Sequence, residues 1–116
     1  MKVMKNSEIY EKVKAQVLKE AKMMREMNRK IPVSGERIDL PAGDRDVNIV
    51  YFRAKRENAP LILGFHGGGF LFGGNAMNDA MWSAVRDALD VNVASVEYRK
   101  SPDYQYQAAL DDAYDA

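Results

Sequence analysis

Between residues 8 and 29, apolar side chains recur at steps of three and four. Tyr10, Val13, Val17, Ala21, Met24 and Met27 fall on one face of a helix, and Lys12, Lys14, Lys19, Glu20 and Glu26 fall largely on the other. The spacing predicts a single helix over 8–29. Ser7 is its expected N-cap, Glu8 and Glu11 suit the positive end, Arg29 and Lys30 the negative end, and Pro32 stops it. From residue 36 the period changes to two. Arg37-Ile38-Asp39-Leu40 alternates, Pro41-Ala42-Gly43-Asp44 supplies a turn, and Val47-Asn48-Ile49-Val50-Tyr51-Phe52 resumes as a strand. Two such strands around a short turn predict an antiparallel hairpin.

After the polar stretch 55–60, Leu61-Ile62-Leu63-Gly64-Phe65 is continuously apolar, as expected of a strand buried on both faces. A glycine-rich loop follows, then a predicted helix over 77–89, a valine-rich strand over 91–98 and a further helix over 106–115. Strand, helix and strand in succession imply an α/β arrangement with parallel strands and a crossover helix. There is no internal repeat and no low-complexity segment.

Composition narrows the chemistry. The chain has 116 residues, the size of one ordinary domain or a piece of a larger one. Lys plus Arg total 17 and Asp plus Glu total 17, so bulk charge gives no reason to expect a nucleic-acid partner. The balance is uneven along the chain. Residues 1–30 carry nine bases and four acids, and the last sixteen residues carry four aspartates and no base. Glutamates interleaved with the N-terminal bases argue against a targeting or membrane-surface helix. No apolar run approaches the length of a membrane span, and the expected setting is cytoplasmic. There is no cysteine and one histidine, His66, which excludes disulfides, thiolate metal sites and histidine-rich zinc sites. No metal or cofactor is expected. Five of the seven methionines lie in residues 1–27; they read as adaptable core packing or as the lining of an apolar pocket.

The loop His66-Gly67-Gly68-Gly69-Phe70-Leu71-Phe72-Gly73-Gly74 is the strongest chemical signal. It follows a strand and precedes a helix, the place where open α/β sheets bind ligands. Consecutive glycines leave their amides uncovered and reach backbone angles closed to other residues, so several N–H groups can aim at one anion. A Walker A loop fails for want of Gly-Lys. A dinucleotide fingerprint starting at Gly67 fails at Phe72. A tight structural turn and an oxyanion hole remain.

His66-Gly67-Gly68-Gly69-Phe70 resembles the His-Gly-Gly-Gly motif of the hormone-sensitive lipase-like esterases, a family of the α/β-hydrolase fold. About thirty residues on, Val96-Glu97-Tyr98-Arg99-Lys100-Ser101-Pro102-Asp103 resembles that family's Tyr-Arg-Leu-Ala-Pro-Glu segment. Ala108-Ala109-Leu110-Asp111-Asp112-Ala113 is similar to its Ala-Ala-Leu-Glu-Asp-Ala helix start. The resemblance runs from about residue 33 to 116. It implies the N-terminal portion of an α/β-hydrolase sheet, incomplete, with residues 1–32 as a cap helix and 33–116 as the first part of the core.

The resemblance further implies that Gly68 and Gly69 donate backbone N–H groups to an oxyanion, that Gly67 shapes the turn, and that His66 orients the loop without being the general base. Phe70 and Phe72 are expected under the loop or facing an acyl pocket, and an Arg99–Asp103 ion pair is expected to fix the turn after the strand. Lys100-Ser101 stands in place of the family's Leu-Ala and Asp103 in place of its Glu. The family's Gly-x-Ser-x-Gly nucleophile elbow has no counterpart here. The expectation is the N-terminal part of a serine carboxylesterase acting on short to medium acyl esters. It would supply the oxyanion hole but no triad, and its open sheet edge would be available for self-association. The alternative is a non-catalytic truncated chain serving as an interaction or small-ligand binding module.

Overall fold

A computed structural model describes residues 5–116; the first four residues of the expected cap segment, Met1 and Met4 among them, lie outside the described residues. Helix α1 spans Asn6–Lys30, strands β1 and β2 span Glu36–Ala42 and Arg45–Phe52, and β3 spans Leu61–Phe65. A 3₁₀ turn at Asn75–Asn78 leads into α2, Asp79–Leu89; β4 is Asn92–Glu97 and α3 is Tyr106–Asp115. No described helix is long and apolar enough to cross a membrane.

The sheet order is β1-β2-β4-β3. β1 and β2 form the expected hairpin, closed at Ala42↔Arg45 around Gly43-Asp44. Gly43 there has φ +68°, the left-handed angle that two-residue hairpin turns demand. β2 pairs antiparallel with β4, placing Asn48 opposite Glu97. β3 pairs parallel with β4, placing Phe65 opposite Val96, with α2 as the crossover between them.

Strand alternation builds a core on both faces of the central pair. Val47, Ile49, Ala94 and Val96 bury one face, against Ile38, Leu40, Tyr51 and Ala116. Val50, Phe52, Val91 and Val93 bury the other, against Ile62, Trp82 and Val85. The strands buried on both faces are therefore β2 and β4. β3 departs from expectation. Gly64 lies directly under the Trp82 ring, but Leu61, Leu63 and Phe65 are 56%, 43% and 44% exposed. β3 is an edge strand, and no described helix covers its second face.

α1 also differs from its expected form. It begins at Asn6, with Lys5 and not Ser7 as the cap residue, because the Glu8 carboxylate reaches back to accept the Lys5 N–H at 3.1 Å. Of the predicted apolar stripe only Ala21 is buried and Val17 half-buried; Tyr10, Val13, Met24 and Met27 are exposed. The helix meets the rest of the molecule along Ala21, Arg25 and Asn28, a row at steps of four and three that shares only Ala21 with the stripe.

Candidate active site

The glycine loop leaves the C-terminal end of β3 and folds back on itself. The Gly68 carbonyl accepts the N–H groups of Leu71 at 3.2 Å and Phe72 at 2.9 Å. Gly68 has φ +136°, and a Cβ there would run into the Phe72 carbonyl. Gly73, at φ +86°, packs so closely on Gly67 and His66 that a Cβ would collide with the Gly67 carbonyl. Gly69 and Phe70 follow one another at φ +61° and +63°. Three of these four left-handed positions are glycine, and the motif's composition follows from that.

The amides of Gly67, Gly68 and Gly69 donate to no acceptor among the described residues. Gly67 and Gly69 are exposed and Gly68 is half-buried. Uncommitted backbone N–H groups carry partial positive charge and are able to donate to an anion.

His66 is buried beneath this loop, 4% exposed. Its Nδ1 lies 2.8 Å from the Gly67 carbonyl. The Tyr98 hydroxyl donates to the His66 carbonyl at 2.6 Å, and the two rings stack. His66 Nε2 lies 3.7 Å from Glu97 Oε1.

Glu97, at the end of β4, ties the far side of the loop. Its Oε2 accepts the Asn75 N–H at 2.8 Å, where the loop enters the 3₁₀ turn. Its Oε1 pairs with Lys100 Nζ, which also donates to the Tyr98 carbonyl at 3.1 Å. Burial alone would raise the Glu97 carboxyl, but the His66 ring, the Lys100 ammonium and the Asn75 N–H together hold it at about 2. Burial, and then the charge of Glu97, push the Tyr98 phenol up. Sequence reasoning had no role for Glu97 or Asn75. The available signal was Lys100, a cation in an apolar slot three residues from a glutamate.

The expected Arg99–Asp103 pair does not form. Arg99 bonds Asp112 instead, through its backbone N–H at 2.8 Å, its Nε at 3.0 Å and its Nη2 at 2.9 Å. Arg45 Nε joins the same carboxylate at 2.9 Å. Asp112 on α3 is almost wholly buried and offers a protected acceptor for two guanidiniums, whereas Asp103 is exposed. Burial would raise the Asp112 carboxyl, but the bonds from Arg99 and then Arg45 hold it below its ordinary value. Phe70 is exposed, with its ring edge on Tyr98 at 6.5 Å and tilted against Tyr106 at 6.2 Å; Phe72 is half-buried. A separate cleft of about 480 Å³ is lined by Arg25, Arg37, Arg45, Glu97 and Asp103 but not by Gly67, Gly68 or Gly69, so it is not the space facing the loop amides.

Against known proteins, a family model described as alpha/beta hydrolase fold matches residues 62–116. The esterase LipI of Mycobacterium tuberculosis is 37% identical over 81 residues, which are 68% of this chain and 25% of that protein. An arylesterase of Saccharolobus solfataricus is 33% identical over 67 residues, 58% of this chain and 22% of that protein. Among solved structures, an esterase of Pyrobaculum calidifontis superposes with a TM-score of 0.66 at 28% identity, covering 90% of this chain and 34% of that one. The esterase LipW of Mycobacterium marinum superposes with a TM-score of 0.69 at 25% identity, covering 84% and 34%. The chain thus spans about a quarter of the length of these curated relatives.

Proposed function

Because the chain belongs to the hormone-sensitive lipase-like esterases of the α/β-hydrolase fold, we propose that it is the N-terminal portion of a serine carboxylesterase for short to medium acyl esters. In this reading Gly68 and Gly69 are the oxyanion donors, and further sequence supplies the triad. The observation that carries it is the run of uncommitted Gly67, Gly68 and Gly69 amides on a loop locked from beneath by His66, Tyr98 and Glu97.

In the completed domain a serine hydroxyl attacks the ester carbonyl and passes its proton to a histidine base. The carbonyl oxygen becomes an oxyanion held by the N–H groups of Gly68 and Gly69. Collapse expels the alcohol, which takes the proton, and water then hydrolyses the acyl-enzyme by the same steps. Fixed backbone donors need no reorganisation as the charge develops, and one such donor contributes on the order of 3 kcal/mol. In this reading His66 is not the base: its side chain is wholly buried, stacked on Tyr98, and its Nε2 faces Glu97 Oε1 at 3.7 Å.

The test is a chimera of this chain with the nucleophile-bearing remainder of the Pyrobaculum calidifontis esterase. The folded chimera is expected to hydrolyse p-nitrophenyl butyrate while the 116-residue chain alone does not. Serine-type turnover by the chain alone, or a folded but inert chimera, would overturn the proposal.

The edge position of β3 supports self-association when the chain is alone, since unpaired backbone groups flanked by exposed Leu61, Leu63 and Phe65 invite strand pairing. Light scattering is expected to show mass rising with concentration, and Leu63→Lys is expected to suppress it. A concentration-independent monomer contradicts it.

A further inference from the structure

α1 reaches the glycine loop at both ends, and through polar groups. Arg25 is 13% exposed. Its Nη1 pairs with Asp103 Oδ2 at 2.6 Å, and its Nη2 donates to the Ser101 carbonyl. The N–H of the same residue, Ser101, donates to the Phe70 carbonyl at 2.8 Å, at the crest of the loop. One turn further along α1, Asn28 lies against Gly74 at the loop's end: a Cβ on Gly74 would sit 3.3 Å from both Asn28 Cβ and Nδ2. The Arg25 Nε is buried without a partner among the described residues, so the guanidinium is held by its two terminal nitrogens.

From this we infer that Arg25 is a positioning residue that couples α1 to the oxyanion loop through the two faces of Ser101. The inference rests on the proposal that residues 66–74 are that loop. Asp103 is 64% exposed, so the ion pair by itself contributes little. The bond to the Ser101 carbonyl is the coupling element, and Asp103 fixes the fork that makes it. A guanidinium can hold both acceptors at once, whereas an ammonium on a flexible stem holds them poorly. Displacement of α1 therefore pulls on Ser101 and, through it, on Phe70, whose φ of +63° is among the least favourable angles in the loop. Of the apolar stripe, only Ala21 is buried in this attachment.

Hydrogen exchange on the full 116-residue chain tests this, because Leu71, Phe72 and Ser101 each report a bond of the loop. Arg25→Met is expected to speed exchange at these three amides roughly fivefold or more while Val50 and Val93 in the sheet keep their rates. Arg25→Lys is expected to fall between, and Asp103→Asn to have a smaller effect than Arg25→Met. Unchanged exchange at the three amides in Arg25→Met overturns the inference. So does a uniform loss that includes Val50 and Val93, which makes Arg25 a general stability residue. If Arg25→Met does not fold, Arg25→Lys and Asp103→Asn carry the same comparison. No ester enters the measurement, so failure of the esterase proposal is read in the chimera and failure of the coupling is read here.

Discussion

The Tyr98 hydroxyl donates to the His66 carbonyl at 2.6 Å while the two rings stack, centroids 4.3 Å apart and 11° from parallel. One tyrosine on the segment after β4 thus fixes both the backbone and the side chain of the residue that opens the loop. Tyr98→Phe keeps the stack and strands a buried carbonyl, which costs about 1–3 kcal/mol. Urea unfolding should show a loss of that size. A loss below about 0.5 kcal/mol would mean that water satisfies the His66 carbonyl.

The glycines are not equivalent. Gly68→Ala forces a side chain into φ +136° and into the Phe72 carbonyl, whereas a Cβ on Gly67 meets nothing within 4 Å. Gly68→Ala is expected to cost about 2 kcal/mol or more and to distort the loop, and Gly67→Ala to be tolerated within about 0.5 kcal/mol. Amide chemical shifts across 66–74 and thermal melts check both. Equal effects would remove the steric reading of the motif.

Acid should weaken the fold through Glu97. Its carboxyl titrates at about 2 in the folded chain against an ordinary 4.5, so the unfolded chain binds the proton more readily. The stabilisation, on the order of 2–3 kcal/mol, is present above pH 4.5 and is lost as the pH falls toward 2. Asp112, also held low, acts in the same direction. Glu97→Gln should be less stable than the parent at pH 7 and should converge on it at low pH in denaturant titrations. Parallel curves would exclude Glu97 as the source.

The two aspartates that pair with arginines should separate clearly. Asp112→Asn leaves Arg99 and Arg45 facing a buried neutral group and is expected to cost about 3 kcal/mol. Asp103→Asn, at an exposed pair, is expected to cost less than about 1 kcal/mol. Paired melting curves decide the ranking, and the reverse order would restore Asp103 as the structural acid.

The hairpin, the β3–α2–β4 crossover and α3 were legible because each follows from a local period: alternation in Val47–Phe52, an apolar run in Leu61–Phe65, and spacing in 106–115. The glycine motif was legible as well, since left-handed angles recruit glycine regardless of what surrounds them. What lay beyond the sequence was partner choice. Arg99 had Asp103 four residues away, but burial made Asp112 the stronger acceptor, thirteen residues on. α1 displayed an apolar stripe, yet beside Ala21 it is Arg25 and Asn28 that hold the helix, through partners dozens of residues distant that leave no periodic trace. The double-sided burial expected of Leu61–Phe65 failed for a related reason: an apolar run reports the capacity to be covered on both faces, not whether a cover is present.

The chain's single tryptophan rests on Gly64 in the strand whose outer edge is unpaired. That coincidence makes Trp82 an intrinsic optical gauge of β3. Any strand that zips onto this edge adds backbone beside the residue beneath the indole, and Trp82 fluorescence is expected to respond. Its arrival can then be timed by fluorescence in the unmodified protein, without a dye or a tag.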